Sequence, residues 1–414
     1  MSDPTISRQK LADSPLDVVV IGAGQAGLAA GYHLTRHGSR FLLLDAGPSV
    51  GHAWRSRWDS LRLFTPAEYS SLPGMPFPAA AGSYPTKDQV ADYLAAYAER
   101  FDLPVLLDTP VRRLTRTADG CFRLETDRST LQTRHVIVAT GPFQVPAIPE
   151  PARSLGTDVV QLHSARYRNP KDLPRGRVLV VGGGNSGLQI AEEIAASREV
   201  HVAMGSKQTM VPQRPFGRDL FWWLTATGLL TRPATSPIAR FFRRRGGDLV
   251  IGTSTRSLRA AGVTLRPRLT GADHRTATFA DGSCLQVDAV VWATGFRSDY
   301  SWIDLPGVWD GRQLRHRRGV TDVPGLTFLG LPWQHTRGSA LLGFVQDDAE
   351  WIARQVTPAG RSGPRSGDRD ARLQRPLPDR RGTTSGVYSA ATSADAAGDQ
   401  VTVTFGRRVA PSRR

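Results

Sequence analysis

The stretch from Asp17 to Asp45 constrains this chain most, because it reads as a strand, a glycine turn, a helix and a second strand ending in an acid. Val18-Val19-Val20-Ile21 is apolar and β-branched with no polar face, the pattern of a strand buried on both sides. Gly22-Ala23-Gly24-Gln25-Ala26-Gly27 follows at G-x-G-x-x-G spacing. The first glycine allows a tight turn, the second lets a diphosphate approach the backbone, and the third lets helix and strand pack closely. The helix they open runs through Leu28, Ala29 and Leu34 to His37 and stops at Gly38. Its start offers unpaired N–H groups and roughly half a positive charge, so a diphosphate is expected there. Phe41-Leu42-Leu43-Leu44 then leads to Asp45, 23 residues past Gly22. A carboxylate at that distance accepts hydrogen bonds from both hydroxyls of an adenosine ribose. The whole stretch therefore reads as a dinucleotide site.

The plan recurs in the second half. Val178-Leu179-Val180-Val181 precedes Gly182-Gly183-Gly184-Asn185-Ser186-Gly187, a helix runs from Leu188 to Ser197, and Val200 to Met204 returns as a strand. Ala139-Thr140-Gly141, at the end of a strand from His135, is echoed by Ala293-Thr294-Gly295 at the end of Asp288 to Trp292. Duplication at this scale predicts two nucleotide-binding domains on one chain. The halves differ at the acid: 23 residues past Gly182 stands Gly205, followed by Ser206 and Lys207. A carboxylate would repel a 2′-phosphate, whereas a hydroxyl and an ammonium would bind it. The first site is accordingly assigned to FAD and the second to NADP(H), with NAD the alternative if Lys207 is only a solvated loop residue.

The rest of the chain bounds the reading. At 414 residues and 40% apolar composition it can bury a large core. Met1 to Leu16 is polar without the apolar centre of a signal peptide, and no stretch is long enough to span a bilayer, so a cytoplasmic location is expected. The net charge of +16 comes from 53 basic residues of which only Lys10, Lys87, Lys171 and Lys207 are lysines. That ratio looks like coding bias, and without a nucleic-acid motif no nucleic-acid partner is expected. Cys121 and Cys284, 163 positions apart, provide neither a disulfide framework nor a C-x-x-C pair. No metal site is read.

Gly51 to Pro78 is dense in aromatics, prolines and glycines, which suits a packed surface loop or the wall a flat ring system needs. A helix is expected over Asp88 to Arg100, and hairpins at Asp119-Gly120 and Asp281-Gly282. Pro142 to Pro151 reads as a proline-rich crossing. Met210 to Gly252 has no counterpart in a minimal nucleotide domain and reads as a helical hairpin packed on the domain, a cover over a substrate channel, or a homodimer contact. From Pro358 to Arg414 the composition lacks apolar periodicity, and a disordered tail is expected.

With both glycine motifs placed, the chain from Asp17 to Val356 resembles the flavin-containing monooxygenases, in particular the small bacterial branch similar to the plant auxin-forming enzymes. The resemblance rests on the two glycine motifs, Trp54-Arg55 in the aromatic loop, the two Ala-Thr-Gly turns and Phe328-Leu329-Gly330. It implies that Gly330 approaches the flavin and that the backbone of Val111 meets the adenine. Motifs and resemblance together give a cofactor-binding set of Gly22, Gly24, Gln25, Gly27, Asp45, Trp54, Arg55, Val111, Thr140, Gly141, Gly182, Gly184, Asn185, Ser186, Gly187, Ser206, Lys207, Thr294, Gly295 and Gly330. Trp54, Phe64, Trp333 and Phe344 are expected to line the flavin face. No catalytic residue is named.

Two departures from the family pattern stand out. The family fingerprint is F-x-G-x-x-x-H-x-x-x followed by an aromatic; His163 and Tyr167 match it, but Thr157 and Val159 stand where Phe and Gly are expected. Leu63-Phe64-Thr65-Pro66 occupies the stretch where amine-oxygenating members carry an asparagine, which argues against amine and sulfide oxygenation.

The fold expected is α/β, with two Rossmann-like domains, the second inserted in the first: 1–150 and 291–356 for FAD, 151–290 for NADP, 357–414 the tail. The resemblance implies an NADPH- and FAD-dependent monooxygenase that inserts one atom of O2 into a small organic substrate through a flavin C4a-hydroperoxide. Two rivals are an FAD-dependent NAD(P)H oxidoreductase passing electrons to another acceptor, and a non-enzymatic nucleotide sensor linked to ion transport.

Overall fold

The structure is a computed structural model that describes residues 16–205, 208–244, 249–311 and 314–357. The tail beyond Thr357 and the pair Ser206 and Lys207 lie outside the described residues. The first half opens with β1 (Leu16–Ile21), α1 (Gln25–Arg36), β2 (Phe41–Leu44), α2 (His52–Arg55) and α3 (Lys87–Arg100). It continues with β3 (Val105–Leu106), β4 (Val111–Arg116), β5 (Phe122–Thr126) and β6 (Thr130–Val138). These strands lie in the order β3-β2-β1-β6-β5-β4. α3 starts at a reciprocal cap, in which the Thr86 side chain accepts from the Gln89 backbone N–H and the Gln89 side chain accepts from that of Thr86.

A second sheet is built from β8 (Val160–His163), β9 (Arg177–Val181), β10 (Glu199–Ala203), β13 (Val263–Arg266) and β17 (Ala289–Trp292). All its pairings are parallel, in the order β13-β10-β9-β17-β8. α4 (Asn185–Ala195) packs on it with Ile190, Ala191 and Ile194 fully buried. The chain then rejoins the first sheet through β19 (Leu326–Phe328), parallel to β6, and α8 (Gln346–Val356) packs against α1. The second Rossmann-like unit is thus inserted in the first. The two crossings between them are tied to each other, because β7 (Val145–Pro146) pairs antiparallel with β18 (Phe296–Arg297).

Both central strands are buried on both sides, as their unbroken apolar runs predict. Val18 and Val20 face the core under α1, α3 and α8, while Val19 and Ile21 face the opposite core with Phe122 and Phe328. In the second unit Val178 and Val180 face α4, and Leu179 and Val181 face Phe279 and Trp292. Between the sheets and the insert runs the aromatic loop, and here the structure revises the surface-loop reading. Trp58 and Leu61 are buried in the α4 core of the second unit, whereas Leu72, Met75 and Phe77 are buried in the core of the first. One loop therefore feeds two cores.

The hairpin of β4 and β5 forms as expected, and so does that of β15 (Thr276–Phe279) and β16 (Cys284–Gln286). Segment 210–252 holds β11 (Met210–Val211), α5 (Leu220–Ala226), α6 (Pro237–Arg244) and β12 (Val250–Ile251), the two strands being paired in parallel. Among the described residues no helix is long and apolar enough to cross a membrane.

Candidate active site between two glycine turns

The first glycine of each motif is fixed by the same contact. Gly22 has φ +105°, and a Cβ there would stand 2.5 Å from the Ala139 carbonyl oxygen; Gly182 has φ +127°, and its Cβ would stand 2.2 Å from that of Ala293. Each alanine opens an Ala-Thr-Gly turn and donates its N–H to the adjacent strand end, Ala139 to Ile21 and Ala293 to Val181, at 2.8 Å in both. The repeated Ala-Thr-Gly is therefore the packing partner of the repeated glycine. At the third positions, a Cβ on Gly27 would lie 1.8 Å from the Gly22 oxygen and one on Gly187 2.1 Å from the Gly182 oxygen. Gly24 and Gly184 behave oppositely: a Cβ on either meets nothing within 4 Å, which leaves the helix start open to a ligand.

Both openings face one cavity of about 1170 Å³. Gly22, Gly24, Gln25, Asp45, Trp54, Val111, Thr140, Gly141 and Gly330 line it from the first unit, and Gly184, Asn185, Ser186, Gly187 and Gly295 from the second. Asp45 has a structural role in this turn. Its Oδ2 accepts from the Ala23 N–H and its Oδ1 from the Gly47 N–H, both at 2.7 Å, so the acid also fixes the glycine turn. A carboxylate offers about four acceptor positions, which leaves capacity for sugar hydroxyls.

Among the described residues, four of the sequence-read set do not line the cavity. Gly27 and Gly182 act through packing, as described above. Thr294 donates its hydroxyl to the Ala147 carbonyl and so fixes the crossing. Arg55 turns outward to Asp92 on α3, with 2.6 Å between Nη2 and Oδ1. Arg57, two residues on, does line the cavity, as do Arg62, Arg232 and Arg337. Arg55 is the last residue of α2 and Arg57 lies just past its end, and sequence alone does not say which way each side chain points.

Trp54, Phe64 and Trp333 line the cavity. Phe344 does not: it lies behind Phe221, with 6.3 Å between ring centroids. The Trp54 indole N–H donates to Gln25 Oε1 at 3.3 Å, which fixes this ring against the first glycine turn. Segment 210–252 supplies Phe221, Leu224, Leu230 and Ile251 to the wall, so it walls a cavity and is not merely packed on its domain. Asn185 holds that segment: its Nδ2 donates to the Leu249 carbonyl at 2.8 Å, and its Oδ1 accepts from the Ile251 N–H at 3.0 Å. Beside the second site the structure brings a cation that sequence reasoning missed. The stem of Arg268 passes 3.8 Å from where a Cβ of Gly205 would be.

The fingerprint residues prove structural. His163 is buried, its Nδ1 accepting from the Ala165 N–H at 3.2 Å and its Nε2 donating to the Gly295 carbonyl at 3.0 Å. Burial pushes its pKa below the usual imidazole value, so it stays neutral in this role. Tyr167 is fully buried and bonded to Glu193 Oε2 at 2.9 Å, and Val159 is in the core beside Trp292. Cys121 and Cys284 are unbridged, and neither lines the cavity.

The fold and the paired turns define a two-nucleotide oxidoreductase of the flavoprotein kind. A family model described as pyridine nucleotide-disulphide oxidoreductase matches residues 19–218. The chain is 46% identical over 343 residues to the uncharacterised oxidoreductase CzcO-like of Geobacillus kaustophilus (strain HTA426), covering 82% of this chain and 98% of that protein. It is 28% identical over 355 residues to the probable indole-3-pyruvate monooxygenase YUCCA9 of Arabidopsis thaliana, covering 73% of this chain and 84% of that one. Among solved structures, a flavin-containing monooxygenase from Stenotrophomonas maltophilia is similar at 33% identity and a TM-score of 0.70, covering 83% of this chain and 98% of that chain. The chain belongs to the flavin-containing monooxygenase family.

Proposed function

We propose that this protein is an NADPH- and FAD-dependent monooxygenase that inserts one oxygen atom of O2 into a small organic substrate. The observation that carries the proposal is that both glycine turns open onto one cavity, so that two dinucleotides held there reach each other. FAD is assigned to the Gly22–Gly27 turn, with Asp45 for its ribose and Val111, Thr140, Gly141 and Gly330 around it. NADP(H) is assigned to the Gly182–Gly187 turn. Ser206 and Lys207, together with the neighbouring Arg268, would answer a 2′-phosphate where Gly205 replaces the acid. The division at 1–150, 151–290 and 291–356 is proposed with it.

When bound, the flavin supplies the redox and oxygen-transfer chemistry, and the hydroperoxide route implied by the sequence resemblance is part of this proposal. The chain's own residues position the reactants and exclude water. Trp54, held by Gln25, and Phe64, Phe221 and Trp333 present an apolar wall. Asn185 holds the cover by its backbone over the second nucleotide turn. Phe64, in the stretch where other members place an asparagine, keeps that wall apolar.

The test is anaerobic reduction followed by oxygen. NADPH should bleach the yellow protein, and O2 should then be consumed with stoichiometric oxygenated product across a substrate screen. Turnover only with an added electron acceptor would favour a reductase, and flavin that never bleaches would favour a sensor.

A further inference from the structure

Arg57 sits at the seam of the two units with a charge that no group among the described residues answers. It follows α2, held by its N–H to the Trp54 carbonyl at 3.0 Å, and its side chain enters the cavity wall. The guanidinium carbon lies 5.4 Å from the ring centroid of Phe143 and 5.4 Å from that of Phe296. Each phenylalanine comes from a different crossing, Phe143 just after the Thr140-Gly141 turn and Phe296 directly after Thr294-Gly295. The two rings meet edge to face at 5.3 Å, and the His163 ring meets Phe296 edge to face at 4.9 Å. The clamp is thus built from both crossings and from the loop that feeds both cores.

Ring faces attract a guanidinium but do not accept the five N–H bonds in its plane. Among the described residues no carboxylate and no hydrogen-bond acceptor meets the Arg57 guanidinium, in contrast to Arg55 with Asp92 and Arg112 with Asp127 on the surface. Burial, and beside it the second cation Arg168, disfavour its charged form. A half-buried, flat donor fork that lines a cavity and has no acceptor of its own suits a planar or tetrahedral oxyanion and is ill suited to a neutral ligand.

We propose that Arg57 is an anion-binding residue of the cavity, taking an oxyanion carried by a bound ligand: a phosphate of the second dinucleotide or a carboxylate of the organic substrate. The inference rests on the two-nucleotide reading of the cavity and adds to it a demand on ligand charge.

Binding to the flavin-loaded protein, measured without turnover, decides between the sources. NADP+ and NAD+ are titrated by calorimetry, and phenylacetate and its methyl ester by their perturbation of the flavin spectrum. If Arg57 holds a diphosphate oxygen, Arg57→Met weakens both dinucleotides about tenfold and leaves phenylacetate unchanged; if the 2′-phosphate, only NADP+ weakens. If it holds a substrate carboxylate, the dinucleotides are unchanged, and phenylacetate loses its preference over the ester. Arg57→Lys keeps the charge without the fork and should show a smaller loss on the same ligand, and it carries the test should the methionine variant not retain flavin. Unchanged affinity for all four ligands in a flavin-retaining variant overturns the proposal. Failure of the unmodified protein to bind either dinucleotide would instead overturn the functional reading, and this inference with it.

Discussion

The two glycine turns share a backbone and differ in what their side chains hold. Gly22 and Gly182 both adopt positive φ against an Ala-Thr-Gly turn, Gly27 and Gly187 both touch the first glycine's oxygen, and Gly24 and Gly184 are both open. The residue that begins each helix stands at the same place in both motifs, yet the two make different contacts. Gln25 reaches Trp54 and the Ala340 carbonyl, tying the aromatic loop and the C-terminal turn to the first site. Asn185 clasps Leu249 and Ile251, tying the cover to the second. A duplicated backbone can thus keep its ligand geometry while one side chain per copy assigns it to a different neighbour.

The strongest way to break this comparison is to close each turn separately. Gly22→Val should give colourless protein, read as lost absorbance near 450 nm after purification. Gly182→Val should stay yellow and fail to bleach with NADPH. A colourless Gly182→Val would end the division of labour between the turns.

Next come the clasps. Asn185→Ala should cost about 1–3 kcal/mol in urea unfolding for two good hydrogen bonds, and trypsin should cut the 210–252 segment sooner. Gln25→Ala, with contacts of 3.3 and 3.4 Å, should cost less than about 1 kcal/mol. Equal costs would mean that the clasps are not what distinguishes the copies.

The difference at the acid position is tested by Lys207→Ala, which should raise the KM for NADPH on the order of tenfold and leave that for NADH unchanged. An equal effect on both would remove the phosphate assignment.

The smallest effect at neutral pH lies eleven residues into each motif, where α1 carries His33 and α4 carries Glu193. Glu193 is answered by Tyr167, whereas the His33 Nε2 is buried with no hydrogen-bond partner, and burial lowers its pKa from 6.5 to about 4. A folded-state pKa below the unfolded value means that the unfolded chain binds more protons between these limits. Stability is then complete above about pH 6.5 and falls toward pH 4, by less than about 1.4 kcal/mol per pH unit. His33→Gln should flatten this acid limb in unfolding titrations, and an unchanged limb would refute it.

Much of the site was legible because local backbone chemistry dictates it. A G-x-G-x-x-G after a β-branched run has few solutions, and Asp45 lies one strand beyond it in either description. The side-chain directions were not legible. Arg55 and Arg57 are equivalent as residues of an aromatic loop, and only the packing of α2 against α3 sends one to Asp92 and the other into the cavity. Phe344 looked like a wall residue by type, but Phe221, brought in by the insert, stands in front of it. Trp58 and Leu61 gave no sign of belonging to the core of a unit more than a hundred residues away.

By itself the sequence determined the two turns, their glycines, the flanking strands and the missing second acid, since each follows from steric and hydrogen-bond limits within some thirty residues. Tertiary structure alone decided that the turns share one cavity, that the cover is clasped by Asn185, and that Arg57 meets two rings from two crossings. Those are contacts between segments far apart in the chain. Such contacts depend on which surfaces are left to bury once the local elements have formed, and no local pattern encodes them.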